Sequence, residues 1–192
     1  MKGRKLPGAI GVLLLLIGTW QLGHGAYIYA KALVAQHLLR SAWAQTLAGP
    51  GRIRPWSWAD TWPVARLRVR KYGQDLIVLA GASGRTLAFG PGHVDGTPLP
   101  GQPGNSLISG HRDTHFRFLE QLQTGDLLDV QTADGRTHHF RVLGKRIVDS
   151  RNATVPTSAD EAFLTLITCY PFDAVEPGGP LRMLVTAVEV EQ

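Results

Sequence analysis

The hydrophobic pattern of this chain changes character near residue 30 and again near residue 63. From Leu6 to Ala30 there is no acid, lysine or arginine, and the centre, Ile10-Gly11-Val12-Leu13-Leu14-Leu15-Leu16-Ile17, has no polar face. About twenty apolar residues cross a bilayer core as a helix, and a helix that is apolar all round does not suit a water-facing surface. Lys2, Arg4 and Lys5 precede this run, and Trp20, Tyr27 and Tyr29 follow its core. The pattern predicts a cytoplasmic N-terminus with aromatic residues at the far interface. A cleaved signal peptide is the competing expectation, with small residues at Gly23-His24-Gly25 and at Ala30-Lys31-Ala32, the second far beyond the apolar core. Residues 1–25 are read as a basic tip and a retained transmembrane signal-anchor. The alanine-rich stretch after it, with Leu33, Leu38, Leu39, Trp43 and Leu47, continues as helix to Gly49-Pro50-Gly51. A Pro/Trp-rich segment, Arg52 to Pro63, then completes a helical and linker region over 26–63.

Beyond residue 63 the period shortens. Val64–Val69 alternates apolar residues with Arg66 and Arg68, as in a half-buried strand. Strands are also predicted at Asp75–Leu79, Leu107–Ser109, Leu127–Thr132, Arg136–Val142 running on to Val148, Phe163–Cys169 and Arg182–Val190. Ala133-Asp134-Gly135 reads as a hairpin turn, Gly81–Pro103 as loop and short turns, and Phe116–Leu122 as one or two helical turns with Phe116, Leu119 and Leu122 on one face. Seven or eight short strands with little helix imply an all-β barrel or sandwich over 64–192.

Charge sharpens this division. Residues 1–72 carry eleven Lys/Arg and one acid, while 73–192 carry nine Lys/Arg and fourteen acids. The basic balance thus belongs to the leader and first strand. The folded part has no cationic excess to release counterions, which argues against a nucleic-acid partner.

Candidate chemistry converges on strand ends. Cys169 is the only cysteine, so it forms no internal disulfide. Alone, such a thiol is as a rule a small buried hydrophobe. It ends the run Thr165-Leu166-Ile167-Thr168-Cys169, however, while His111 follows Leu107-Ile108-Ser109-Gly110 and Arg182 opens the last strand. A thiol, an imidazole and a guanidinium are what acyl transfer through a thioester needs.

Taken in order, Ser109-Gly110-His111-Arg112-Asp113, Thr165-Leu166-Ile167-Thr168-Cys169 and Arg182 resemble the sortases, over about residues 56–190. These are membrane-anchored cysteine transpeptidases on an eight-stranded β-barrel, and the resemblance implies that closed barrel here. The run Thr168-Cys169-Tyr170-Pro171-Phe172-Asp173 looks most like the class found in Gram-negative proteobacteria. The resemblance implies Cys169 as nucleophile, His111 as acid and base and Arg182 as the ligand of the substrate carbonyl or oxyanion. It further implies a partner protein with an LPxTG-like C-terminal sorting signal, an amine acceptor and an inner-membrane anchor with the catalytic domain on the periplasmic side. The alternatives are an exported cysteine peptidase or amidase that resolves the thioester with water, and a membrane-tethered binding module without chemistry.

Asp113 either orients the imidazole or caps the following helix, and the cap is the preferred expectation. Thr168, Tyr170 and His93 are candidates for the cleft, His93 as a loop residue. His111 and His115 stand four apart, but no paired cysteine or HExxH accompanies them, so no metal is expected. His138 and His139 are adjacent on a strand and point to opposite faces. No glycine-rich phosphate loop is present, and no cofactor is expected.

Overall fold

The computed structural model describes residues 6–176 and 178–191, in two units, one through His37 and one from Leu38 onward. One helix, α1 (Leu6–Ala48), starts in the first unit and ends in the second. Its first part carries Leu13, Leu14, Leu15, Leu16, Trp20 and Leu22 exposed, and it is long and apolar enough to cross a membrane. Thr19 returns its hydroxyl to the Leu15 carbonyl at 2.8 Å, which satisfies a polar group inside the apolar stretch.

In the second unit, Leu39 and Trp43, one helical turn apart, are buried against Ile77 and Leu79, with Trp56 and Phe89 packed beside them. The final turns of α1 therefore fold with the β domain, although their composition groups them with the linker.

The strands are β1 (Pro63–Val69), β2 (Gln74–Ala80), β3 (Gly92–His93), β4 (Gly104–Ser109), β5 (Leu127–Thr132), β6 (Thr137–Asp149), β7 (Ala162–Cys169) and β8 (Leu181–Glu189). They close into a barrel in the order β1-β2-β3-β4-β7-β8-β6-β5. β1 alternates buried and half-buried residues, with Ala65, Leu67 and Val69 in the core. β2 is different: Val78 faces the barrel interior while Ile77 and Leu79 meet α1. A strand covered on both faces reads as an unbroken apolar run. β6 pairs with both β5 and β8 and shifts register between Val142 and Gly144, and this irregularity accommodates its thirteen residues.

The expected loop over Gly81–Pro103 is not all loop. It contains a short helix, α2 (Gly84–Leu87), whose N-cap Ser83 accepts from the Thr86 amide at 3.3 Å, and it contains β3. The turn after β4 is a 3₁₀ segment, Arg117–Glu120. Phe116, Leu119 and Leu122 are fully buried, at the three-residue spacing that such a turn stacks on one side. The β5–β6 hairpin turns through Gly135 at φ +85°, a conformation that favours glycine.

Candidate active site

β7 and β8 bring the first two candidates together. Leu164 and Leu166 of β7 and Met183, Val185 and Ala187 of β8 point into the core. Alternation then places Thr165, Ile167 and Cys169 on the outer face, beside Thr186, Leu184 and Arg182. The antiparallel register pairs Thr165 with Thr186, Ile167 with Leu184 and Cys169 with Arg182. Directly opposed residues have Cβ atoms about 4.5–5.5 Å apart, so the thiol and the arginine stem start as neighbours.

β4 supplies the third. It runs parallel to β7 with Ser109 opposite Ile167. The pairing continues past the strand end, where the Gly110 amide donates to the Ile167 carbonyl at 3.0 Å. The Thr168 hydroxyl, 2% exposed, donates to the Gly110 carbonyl at 2.7 Å. The next residue, His111, is thereby brought level with Cys169, and it is solvent-exposed. Gly110 faces inward, where an added Cβ would lie 2.7 Å from the Phe116 ring. The glycine of the Ser-Gly-His run is required by that close approach.

The remaining candidates divide. Thr168 ties the cysteine strand to the histidine strand, as described. Tyr170 begins the loop after Cys169. Its amide donates to the Leu181 carbonyl at 3.0 Å and its half-buried ring lies 6.4 Å from that of Phe172, edge to face. The Tyr170–Pro171 bond is cis. His93 is not a loop residue. It is buried on β3, with Nε2 2.9 Å from the Pro98 carbonyl and 3.1 Å from the Thr97 hydroxyl, so its ring serves the fold.

Asp113 does not cap a helix, because the 3₁₀ turn starts at Arg117 and its N-cap position, Phe116, has no side-chain bond. Both carboxylate oxygens of Asp113 accept from Arg112, at 2.8 and 3.1 Å. Those bonds, helped by the charges of Arg112, Arg117 and His111 and opposed by desolvation, hold its carboxyl below the ordinary range. His115 is pushed the way a buried imidazole goes, downward, by burial first and then by the charge of His111.

Arg182 donates from Nη1 to the carbonyls of Gly179 at 2.6 Å and Leu181 at 2.8 Å. Among the described residues no hydrogen bond engages its Nε or Nη2. Sequence reasoning missed a second arginine, Arg112, which is buried beside the site and reaches the loop after Cys169.

A cavity of about 490 Å³ opens on the same outer face of β7, lined by Asn105, Arg146, Pro156, Phe163, Thr165 and Thr186. Its far wall, the β6–β7 loop, is held by Asn105. That residue donates from Nδ2 to the Pro156 carbonyl at 3.0 Å and from its backbone to Thr157 at 2.8 Å, and it accepts from Thr165 at 3.0 Å. Elsewhere, His138 meets Glu189 at 2.6 Å and His139 meets Asp129 at 2.9 Å, so the adjacent histidines serve different partners. No group of three metal-ligating side chains occurs among the described residues.

A closed eight-stranded barrel with a cysteine, a histidine and an arginine gathered at the ends of three strands defines a narrow class of proteins. The Sortase domain family model matches residues 67–190, and the chain belongs to the sortase family. Sortase D of Bacillus subtilis (strain 168) is 33% identical over 120 residues, 62% of this chain and 60% of that protein, so the chain matches about three-fifths of that relative's length. The Sortase D5 transpeptidase of Clostridium perfringens superposes with a TM-score of 0.65 at 21% identity, covering 82% of this chain and 99% of that one. Clostridium perfringens sortase C, solved with the C-terminal cell wall sorting motif, gives a TM-score of 0.62 at 18% identity, over 85% and 91% of the two chains. These two likenesses are of fold.

Proposed function

We propose that this chain is a membrane-anchored cysteine transpeptidase that cleaves an LPxTG-like C-terminal signal and joins the new C-terminus to an amine. The observation that carries the reading is the register of β7 with its two neighbours. It sets Cys169 opposite Arg182 and, continued past Ser109 through the Gly110 amide, level with His111. The Cys169 thiolate adds to the carbonyl carbon of the signal's threonine. The carbon–nitrogen bond breaks, the leaving amine takes a proton from His111, and a thioester remains. An incoming amine then attacks the thioester, gives its proton to His111 and releases the thiolate. Arg182 supports the developing oxyanion with the nitrogens that the loop carbonyls do not engage.

The peptide lies along the outer face of β7, from Cys169 past Ile167 and Thr165 to the cavity under the β6–β7 loop. Sortase C from Clostridium perfringens, solved with its sorting motif, supports the substrate class. The apolar start of α1 supports anchoring in the inner membrane with the barrel on the periplasmic side. Residues 1–25 then serve as anchor and 64–192 as catalytic domain, and 26–63 joins them, with Leu39, Trp43 and Trp56 of that stretch packed on β2. The Thr168–Asp173 run supports the class found in Gram-negative proteobacteria; the relative with 33% identity supports the family more broadly.

The test uses the full chain in detergent with an LPxTG peptide, with and without triglycine, and follows products by mass spectrometry. Ligated peptide that disappears in Cys169→Ala supports the proposal. Release of free acid at one rate, whatever the amine, replaces it with a water-resolving peptidase. No turnover and no adduct on Cys169 overturns catalysis on this signal class.

A further inference from the structure

The loop that follows Cys169 is held from the histidine side by one buried cation. Arg112, next to His111, is 8% exposed, a degree of burial that charged side chains reach only when paired. Its guanidinium has four polar contacts. Nε and Nη2 donate to the two Asp113 oxygens at 2.8 and 3.1 Å, Nη1 donates to the Pro171 carbonyl at 2.5 Å, and Nη2 donates to the Ala174 carbonyl at 3.0 Å. Arg117 adds a longer bond, 3.4 Å, to the carbonyl between them, Phe172. The backbone of 171–174 therefore hangs from arginines on the β4 side of the barrel.

We propose that Arg112 is a positioning residue that fixes the first part of the loop between β7 and β8, Pro171 to Ala174, relative to His111 and Cys169. The same loop carries Gly179, whose carbonyl holds Arg182 Nη1 at 2.6 Å. Contacts from the residue beside His111 thus reach Pro171 and Ala174, in the loop whose later residue Gly179 offers the carbonyl on which Arg182 rests. The cation's environment agrees with this placement. The hydrogen bonds to Asp113 raise its pKa most, desolvation opposes them, and the nearby charges of Asp113, Cys169 and Asp173 add to the rise. A planar fork reaches two carbonyls and a carboxylate at once, and an ammonium does not. Arg112 touches neither the thiol nor any reacting atom in this arrangement, so its effect is on geometry.

The inference concerns the site assigned above, and its catalytic readout rests on that reading; its structural readout does not. Arg112→Gln and Arg112→Lys are compared with the wild-type chain in detergent by hydrogen exchange over 170–181, by the rate at which iodoacetamide alkylates Cys169, and by transpeptidation kinetics. Both variants are expected to exchange at least tenfold faster at the Tyr170 and Ala174 amides, which donate to the Leu181 and Pro171 carbonyls. Alkylation, which reads the exposed thiolate, stays within about threefold of wild type in Arg112→Lys, which keeps the cation beside Cys169. Transpeptidation kcat/KM falls by about ten- to a hundredfold, mostly through KM, and lysine recovers little of it. Unchanged exchange at Tyr170 and Ala174 in both variants overturns the proposal, as does a kcat/KM within threefold of wild type. Should the wild-type chain show no transpeptidation, the transpeptidase reading fails and exchange alone decides the role of Arg112. If Arg112→Gln does not fold, Arg112→Lys carries the same comparison, because it keeps the charge and removes only the fork.

Discussion

β7 has two neighbours at the site, and they hold the thiol's partners in different ways. Toward β4 the pairing is parallel and joins residues 58 apart in the chain, and side chains reinforce it: Thr168 to Gly110, Thr165 to Asn105 and Arg112 to Pro171. Toward β8 the pairing is antiparallel and joins Cys169 to a residue 13 positions on, largely through the backbone ladder. Arg182 itself rests on carbonyls of its own loop. The lesson concerns cost. A parallel pairing across a long connection needs extra bonds to set its register, whereas a near-neighbour antiparallel pair gets register from the ladder itself. The histidine flank is thus preset, and in the proposed mechanism the arginine flank is the one a substrate completes.

The largest effects test the chemistry of the two flanks. His111→Ala is expected to slow acyl-enzyme formation by ~10²–10⁴, the range for loss of a general acid–base. Arg182→Lys is expected to cost ~10²–10³, as for loss of an oxyanion donor, with a melting temperature near wild type. Rates measured by intact mass that stay near normal in either variant would remove that residue from the mechanism.

Stability should separate the flanks more gently. Thr168→Val leaves the buried Gly110 carbonyl without its hydroxyl partner, and denaturant unfolding should show a loss of ~1–3 kcal/mol. On the other flank, Ser150 donates to the Pro180 carbonyl from an exposed position at 2.8 Å, and Ser150→Ala should cost no more than ~0.5 kcal/mol. Equal losses would erase the distinction.

The smallest effect is a reference away from both flanks. In the β5–β6 turn, Asp134 accepts from the Thr132 hydroxyl at 2.6 Å and the Arg136 side chain at 2.6 Å, and its carboxyl is held down to about 2. A depressed carboxylate stabilises the fold above its unfolded value, ~3.9, and that contribution disappears as pH falls through about 2. Asp134→Asn should flatten this part of the acid unfolding profile while leaving alkylation of Cys169 unchanged. A profile identical to wild type would show that the turn's bonds do not contribute.

Much of the barrel was legible because its strands bury alternate residues. β5 falls at the expected Leu127–Thr132, and β7 and β8 begin one residue earlier than expected. β3 was not legible, since two residues, one of them glycine, show no period. At the site, Cys169, His111 and Arg182 stood out because scarce residue types ended apolar runs. Arg112 lay within the quoted motif yet drew no role, because its loop partners are backbone carbonyls 59 and 62 residues away and a carbonyl leaves no trace in side-chain pattern. Gly110 drew no role for a similar reason, since it acts through a close approach, and Thr168 was named for the cleft while its hydroxyl in fact bonds a backbone oxygen. Asp113 misled because its neighbour's guanidinium outcompetes the backbone amides it would have capped.

The central claim, a preset histidine flank and an arginine flank completed by substrate, is tested most directly by hydrogen exchange on the full chain before and after a sorting-signal peptide acylates Cys169. The account predicts that amides over 178–182 become protected on acylation while those over 109–111 and 167–169 stay as slow as before. Protection that rises on the histidine flank, with 178–182 unchanged, would contradict it.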